Sequence, residues 1–222
     1  MSSRPECEAR RAGTQGHIAA TGSRIFAGAN SGMTTADGMT RDLIKASKFL
    51  SLVLRHRPEH IGLVLDANGW ADIDDLIERA ASRGVILTRE LIVEIVATSD
   101  KQRFALDTKR TRIRANQGHS VDIDLGLEPT EPPAILFHGT AVATVPAIRR
   151  EGLKPGDRQH VHLSPDEATA VKVGQRHGRP VVLRVFAGKM WGQGTPFYCS
   201  ANGVWLTPAV PPEFIEFANE PD

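Results

Sequence analysis

The run Glu128-Pro129-Thr130-Glu131-Pro132-Pro133 constrains this chain more than any other stretch. Its three prolines remove backbone donors and fix φ, so neither a helix interior nor a central strand can pass through it. What folds before residue 128 is therefore separated from what folds after it. The 222 residues are enough for two such units of ordinary size.

Ahead of the break, Leu43, Ala46, Phe49, Leu50, Val53 and Leu54 recur at three- and four-residue spacing and predict an amphipathic helix over 42–54. Arg55-His56-Arg57-Pro58 ends it, because the residue before proline is pushed out of the helical region. Asp72 can cap a second helix carrying Ile73, Leu76, Ile77 and Ala80, and Thr88 a third carrying Leu91, Ile92, Ile95 and Val96. Two extended pieces, 103–106 and 111–114, joined by a polar turn, predict a hairpin. Three short helices and a terminal hairpin over 39–126 make a winged-helix arrangement the expectation. Residues 1–38 show neither helical nor strand periodicity and are expected to be a disordered extension, with Met39 a candidate for the true start.

Beyond the break, strand patterns at 135–137, 160–163, 181–185 and 203–206 alternate with helical stretches near 142–150 and 165–177. A compact α+β unit over 127–222 follows.

Lys and Arg number 27 against 26 Asp and Glu, a net charge of +1, so the chain as a whole advertises no polyanion partner. The balance conceals a local excess. On the hairpin, Lys101, Arg103, Lys109, Arg110, Arg112 and Arg114 face only Asp107, a local field for phosphate or, equally, a solvated surface. No apolar run is long enough to span a bilayer, and the two cysteines, Cys7 and Cys199, have no metal-site spacing. These readings lead to the expectation of a cytoplasmic protein with no membrane partner. A monomer is expected because no uncommitted apolar stripe stands out.

Walker A, G-x-S-x-G, H-E-x-x-H and strand-linked G-x-G-x-x-G signatures are missing, which removes most of the case for P-loop, α/β-hydrolase, zincin and Rossmann chemistry. What remains is Arg and His at element ends. Arg55 and His56 close the first helix, where the dipole favours cations; Arg103 lies on the basic hairpin, and Arg158 in a turn leading to His160-Val161-His162. Strand alternation would put His160 and His162 on one face, as in a metal pair, but no third ligand stands nearby, and no metal is expected. His138-Gly139-Thr140 closes an apolar strand, and its glycine suits close approach of a ligand, a buried structural histidine being the alternative.

Seven blocks, in one order from about Met39 to the C-terminus, resemble the RNA 2′-phosphotransferase (KptA) family. They are Leu54-Arg55-His56-Arg57-Pro58, Gly69-Trp70, Lys101-Gln102-Arg103-Phe104, Arg114-Ala115-Asn116-Gln117-Gly118-His119-Ser120, His138-Gly139-Thr140, Arg158-Gln159-His160-Val161-His162-Leu163-Ser164 and Asn202-Gly203-Val204-Trp205-Leu206. The resemblance implies an α+β protein with an N-terminal winged-helix RNA lobe followed by a C-terminal ADP-ribosyltransferase-like NAD lobe. It also implies the reaction: an internal 2′-phosphate of RNA, such as tRNA splicing leaves, attacks the ribose C1″ of NAD and expels nicotinamide. The 2″-hydroxyl of the attached ADP-ribose then attacks phosphorus, giving 2′-hydroxyl RNA and ADP-ribose 1″,2″-cyclic phosphate. Such a substrate brings its own anionic nucleophile, so an activated Ser or Cys is not required.

By the same resemblance Arg55, His56, Arg103 and Arg158 form the catalytic cluster, with His56 the proton donor to the departing 2′-oxygen. His138, Gly139, Thr140, His162, Ser164 and Val204 are expected to hold NAD, either His160 or His162 facing the ligand. Val204 stands where many protein-modifying relatives carry a catalytic Glu, which argues against protein ADP-ribosylation. Lys101, Arg112, Arg114 and His119 are the expected RNA contacts. Two other classes of protein compete. A winged-helix transcription regulator with a ligand-sensing domain is disfavoured by Glu90 and Glu94 on the third helix, and a metal phosphoesterase would have to be built on His160 and His162.

Overall fold

The structure, a computed structural model, describes residues 36–99 and 101–217, with side chains from residue 41 onward. The disordered extension expected over 1–38 falls, up to residue 35, outside the described residues. Helix α1 spans Ala36–Arg55, so it starts before Met39 and takes in the last three residues of that expected extension. A backbone hydrogen-bond ladder needs no apolar stripe to continue, and the pattern that marks the buried face simply begins later. Ala46, Leu50, Val53 and Leu54 form that face. Arg55 ends the helix as expected, and Pro58 opens a short 3-10 turn, Pro58–His60.

Strand β1 (Ala71–Asp72) leads into helix α2 (Ile73–Ala81), where the Asp72 carboxylate accepts the N–H groups of Asp74 and Asp75. The Thr88 hydroxyl caps helix α3 (Arg89–Thr98) through Leu91 N–H. Strands β2 (Phe104–Leu106) and β3 (Arg112–Ala115) form the expected hairpin, shifted by one residue, and β1 adds to it in the antiparallel order β1-β3-β2. Along β3, Ile113 and Ala115 are buried while Arg112 is exposed and Arg114 half-buried, the alternation of a sheet with one face on a core. Leu50, Leu54, Ile73, Leu76, Ile92, Phe104 and Ile113 fill that core.

A second core, around Leu136, Leu163, Leu183, Met190, Phe197 and Trp205, lies beyond the proline run. The run packs against this second half, Thr130 N–H bonding to Phe197 O at 2.8 Å. The half contains two antiparallel sheets. One orders β4 (Leu136–Ala141), β6 (Pro180–Val185) and β9 (Ile215–Phe217); the other orders β5 (Val161–Leu163), β8 (Trp205–Thr207) and β7 (Tyr198–Cys199). Reciprocal 2.8 Å hydrogen bonds between Phe137 and Ser164 join the sheets. Helices α4 (Val145–Glu151), α5 (Glu167–Gly174) and α6 (Ala187–Gly192) complete an α+β architecture.

Two expectations change here. His138-Gly139-Thr140 lies inside β4, not at its end, because pairing with β6 continues to Ala141↔Pro180. His160 lies outside β5, and its ring packs edge-on against Tyr198 with centroids 5.6 Å apart, so the alternation that would have paired it with His162 does not apply. Among the described residues no helix is long and apolar enough to cross a membrane, and no group of three His, Cys, Asp or Glu is placed to hold a metal ion.

Candidate active site

Residues from both halves meet at one point, and the end of α1 is its floor. Arg55 is 91% shielded from solvent, its exposure being 9%. Its Nη2 donates to Arg103 O at 3.2 Å, and its guanidinium carbon lies 5.8 Å from the centre of the Phe104 ring. Gly118, at φ +86°, brings backbone close to the group: a Cβ built there would lie 3.6 Å from Arg55 Nη1 and 3.8 Å from His162 Nε2. The second half thus delivers His162 beside Arg55, and Arg158 follows it, donating from Nη1 to His162 Nδ1 at 3.4 Å. His56 sits at the mouth with its Nδ1 3.0 Å from Ser120 Oγ, while Ser120 N–H is tied to Arg55 O.

The electrostatics of this arrangement follow from burial and from like charges. Burial first, then the charges of Arg103 and Arg158, push Arg55 down to about 10. Burial, then Arg55 and Arg158, lowers His56; burial, then Arg55, His56 and Arg114, lowers His119 to about 4. Burial, then Arg158 and Arg55, lowers His162 to about 3. Among the described residues, none of the ion pairs engages Arg55, Arg103 or Arg158. Arg55, repelled by Arg103 and Arg158 with none of the three in a described ion pair, makes an arrangement suited to an anion.

The unsatisfied polar atoms agree. Arg55 Nε, Arg114 Nε, both ring nitrogens of His119 and His162 Nε2 are buried without a protein hydrogen-bond partner. Buried polar groups are ordinarily paired, and a cluster of exceptions marks where a ligand belongs.

A stability prediction arises here. His119 and His162 titrate far below the value near 6.5 of an unfolded chain. Between pH 6.5 and about 4 the unfolded chain takes up protons that the folded chain refuses, so stability falls as pH falls. The slope is at most about 1.4 kcal/mol per pH unit for each histidine. Urea midpoints measured from pH 7.5 to 4.5 should show a shallower slope for His119→Gln than for wild type; parallel slopes would contradict the burial of an uncharged His119.

The other expected site residues divide. His138 Nδ1–H donates to His162 O, 3.0 Å away, which fixes its ring between the two sheets. Gly139 has a packing reason to lack a side chain: a Cβ there would lie 1.7 Å from Ala170 O, so α5 occupies that space. The Thr140 hydroxyl is engaged with Thr144 Oγ1 at 2.6 Å, and Ser164 serves the sheet-joining pair through its backbone. Val204 is held by Ser200, whose Oγ accepts its N–H at 3.1 Å.

The expected RNA contacts also divide. His119 is only 2% exposed and lies beneath the cluster. Arg112 is paired with Asp66 at 3.3 Å and Asp107 at 3.8 Å, so the hairpin's field is weaker than its sequence suggests. Arg114 stacks over Trp70 at 4.7 Å. Lys101 presents its carbonyl to Asn202. Sequence reasoning assigned no role to Gly118, Ser120, Asn116 or Asn202; the first three lie in the block running from Arg114 to Ser120, whose position after a strand gave no sign of the contacts they make.

The α+β chain thus carries an arginine cluster, drawn from both halves, that no described ion pair neutralises. A model of the family described as "RNA 2'-phosphotransferase, Tpt1 / KptA family" matches residues 41–209. The chain is 56% identical over 177 residues to a "Probable RNA 2'-phosphotransferase" of Hahella chejuensis, covering 80% of this chain and 95% of that one. A protein of the same name from Agrobacterium fabrum is 58% identical over 169 residues, 76% and 91% of the two chains. One from Flavobacterium johnsoniae is 53% identical over 180 residues, 81% and 99%. This chain belongs to the RNA 2′-phosphotransferase family, a family of transferases.

Proposed function

We propose that this protein, a cytoplasmic monomer, removes an internal 2′-phosphate from RNA with NAD as co-substrate, residues 39–126 serving as a winged-helix RNA lobe and 127–222 as an ADP-ribosyltransferase-like NAD lobe. The observation that carries the reading is the Arg55, Arg103 and Arg158 cluster, assembled from both halves and left without a counter-anion. A 2′-phosphate is dianionic or nearly so at neutral pH, and three preorganised guanidiniums match it better than they match a phosphodiester.

For NAD the residues present fit in part. His162 Nε2 is a buried, unpartnered polar atom facing Arg55 and Gly118, and His138 is oriented through His162 O; both can bond ribose hydroxyls. Gly139, Thr140 and Ser164 contribute by shaping β4 and its junction with β5. When bound, NAD supplies an ADP-ribosyl group to the 2′-phosphate, with nicotinamide as leaving group, and later the hydroxyl that takes the phosphate away.

The chain's own residues then act by charge and position. Arg103 and Arg158 hold phosphate oxygens from opposite sides, and Arg55, fixed by Arg103 O and Phe104, bears on the same charge from below. Negative charge that gathers on phosphorus in the transfer step meets donors already in place, which is where such donors stabilise most. Burial, then the Arg55 and Arg158 charges, lowers His56 below its ordinary value in the absence of an anion. A phosphate among the guanidiniums reverses the field at its ring and favours its protonation, which equips it to give a proton to the departing 2′-oxygen.

The test is product analysis. Incubation with NAD and an oligoribonucleotide bearing one internal 2′-phosphate should yield ADP-ribose 1″,2″-cyclic phosphate and nicotinamide in equal amounts; survival of the 2′-phosphate would refute the reading. No structural observation favours a transcription regulator.

A further inference from the structure

Arg103 stands at the start of a strand, after a turn that has no helix or sheet to stabilise it. Gln102 there adopts φ +39°, a left-handed conformation unfavourable for a residue with a side chain. Yet all three carbonyls around it are captured. Lys101 O accepts from Asn202 Nδ2 at 2.9 Å, and Gln102 O from Asn116 Nδ2 at 2.5 Å. Arg103 O accepts from Asn116 N–H at 2.9 Å and from Arg55 Nη2 at 3.2 Å.

Asn202 differs from the other donors because it reaches across from the second half. It is itself anchored: its Oδ1 accepts from Ser200 Oγ at 2.8 Å, and Ser200 is only 3% exposed. The turn from Ser200 to Val204 leads into β8, whose Leu206 pairs with His162 on β5. Asn202 therefore ties the Arg103 turn to the strand pair that presents His162 and, through it, Arg158.

We propose that Asn202 is a positioning residue for phosphate transfer, holding Arg103 in register with Arg158 across the two halves; this rests on the function proposed above. Loss of its donor should leave the ADP-ribosylation step nearly intact, because that step depends on NAD held by the second half. The subsequent transfer step, which needs both guanidiniums on one phosphorus, should slow.

The experiment is single-turnover kinetics on Asn202→Ala and Asn202→Asp, the latter keeping an acceptor for Ser200 and removing the amide donor. Both variants should release nicotinamide within about threefold of the wild-type rate, transfer phosphate at least tenfold more slowly, and accumulate ADP-ribosylated RNA, since a factor of ten reflects one well-placed hydrogen bond. Urea midpoints check that each variant is folded, and Asn68→Ala, which removes a distant amide bond to Asp124 O, should change neither step. Because Asn202 acts through Arg103, adding Asn202→Ala to Arg103→Ala should slow transfer no further. Equal slowing of both steps, unchanged transfer, or additive losses in the double variant would overturn the proposal. Wild-type protein that leaves the 2′-phosphate intact would instead refute the function on which it rests, and the positioning role with it.

Discussion

Arg103→Ala is expected to release nicotinamide from NAD but to leave ADP-ribose attached to the RNA 2′-phosphate. In the structure Arg103 contributes to the cluster in two ways. Its side chain lowers the Arg55 titration by direct repulsion, and its carbonyl receives Arg55 Nη2 at 3.2 Å. Alanine keeps the carbonyl, so Arg55 stays in place while one of the three positive charges disappears. Removing one preorganised donor from a site of developing negative charge typically costs about 10²–10³ in rate, and that loss should fall on the transfer step. Gel analysis of the RNA and quantitation of nicotinamide separate the steps. Full turnover at the wild-type rate would remove Arg103 from the site; loss of nicotinamide release as well would place it in NAD binding instead.

Gly139→Ala should unfold or severely destabilise the second half, although residue 139 sits inside a regularly paired strand and the change adds one methyl group. The ideal Cβ position lies 1.7 Å from Ala170 O, 2.6 Å from Ala170 C and 2.9 Å from Gly174 N. These are backbone atoms of α5, which cannot swing aside as a side chain would. Either α5 lifts from β4 and β6, or the strand bends away from the sheet that carries His138. Overpacking usually costs about 1–3 kcal/mol, and contact with a helix backbone belongs at or above the upper end. Urea denaturation should show the midpoint lowered accordingly. A midpoint within error of wild type would show that α5 is held far less firmly than its packing indicates.

How legible this molecule was from its residues depended on the range of the interactions. Helices α1 to α3 and the hairpin followed from periodicity, caps and one proline, all local signals. The break at 128–133 was equally plain, and the order of seven short blocks led to the family. Gly139 was legible only as a possible ligand-approach glycine, and its packing reason, a helix some thirty residues further along the chain, was not. His119 was expected to contact RNA, and nothing in Gly118-His119-Ser120 signals that it is buried. Arg112 looked like free positive charge until the fold brought Asp66 against it. The Asn202 link to Lys101 joins positions about a hundred residues apart, and no local pattern carries that information.

The near balance of acidic and basic residues in the chain now has a physical sense. On the proposed function, the site would not attract RNA by a broad positive surface but would concentrate three guanidiniums on one phosphate. Two oligoribonucleotides identical except for a single internal 2′-phosphate test that claim most directly, through their affinities for wild type and for Arg158→Ala. Wild type should bind the phosphorylated RNA at least tenfold more tightly, equivalent to about 1.4 kcal/mol, and Arg158→Ala should lose most of that preference. Equal affinities of the two RNAs for the wild-type protein would contradict the account.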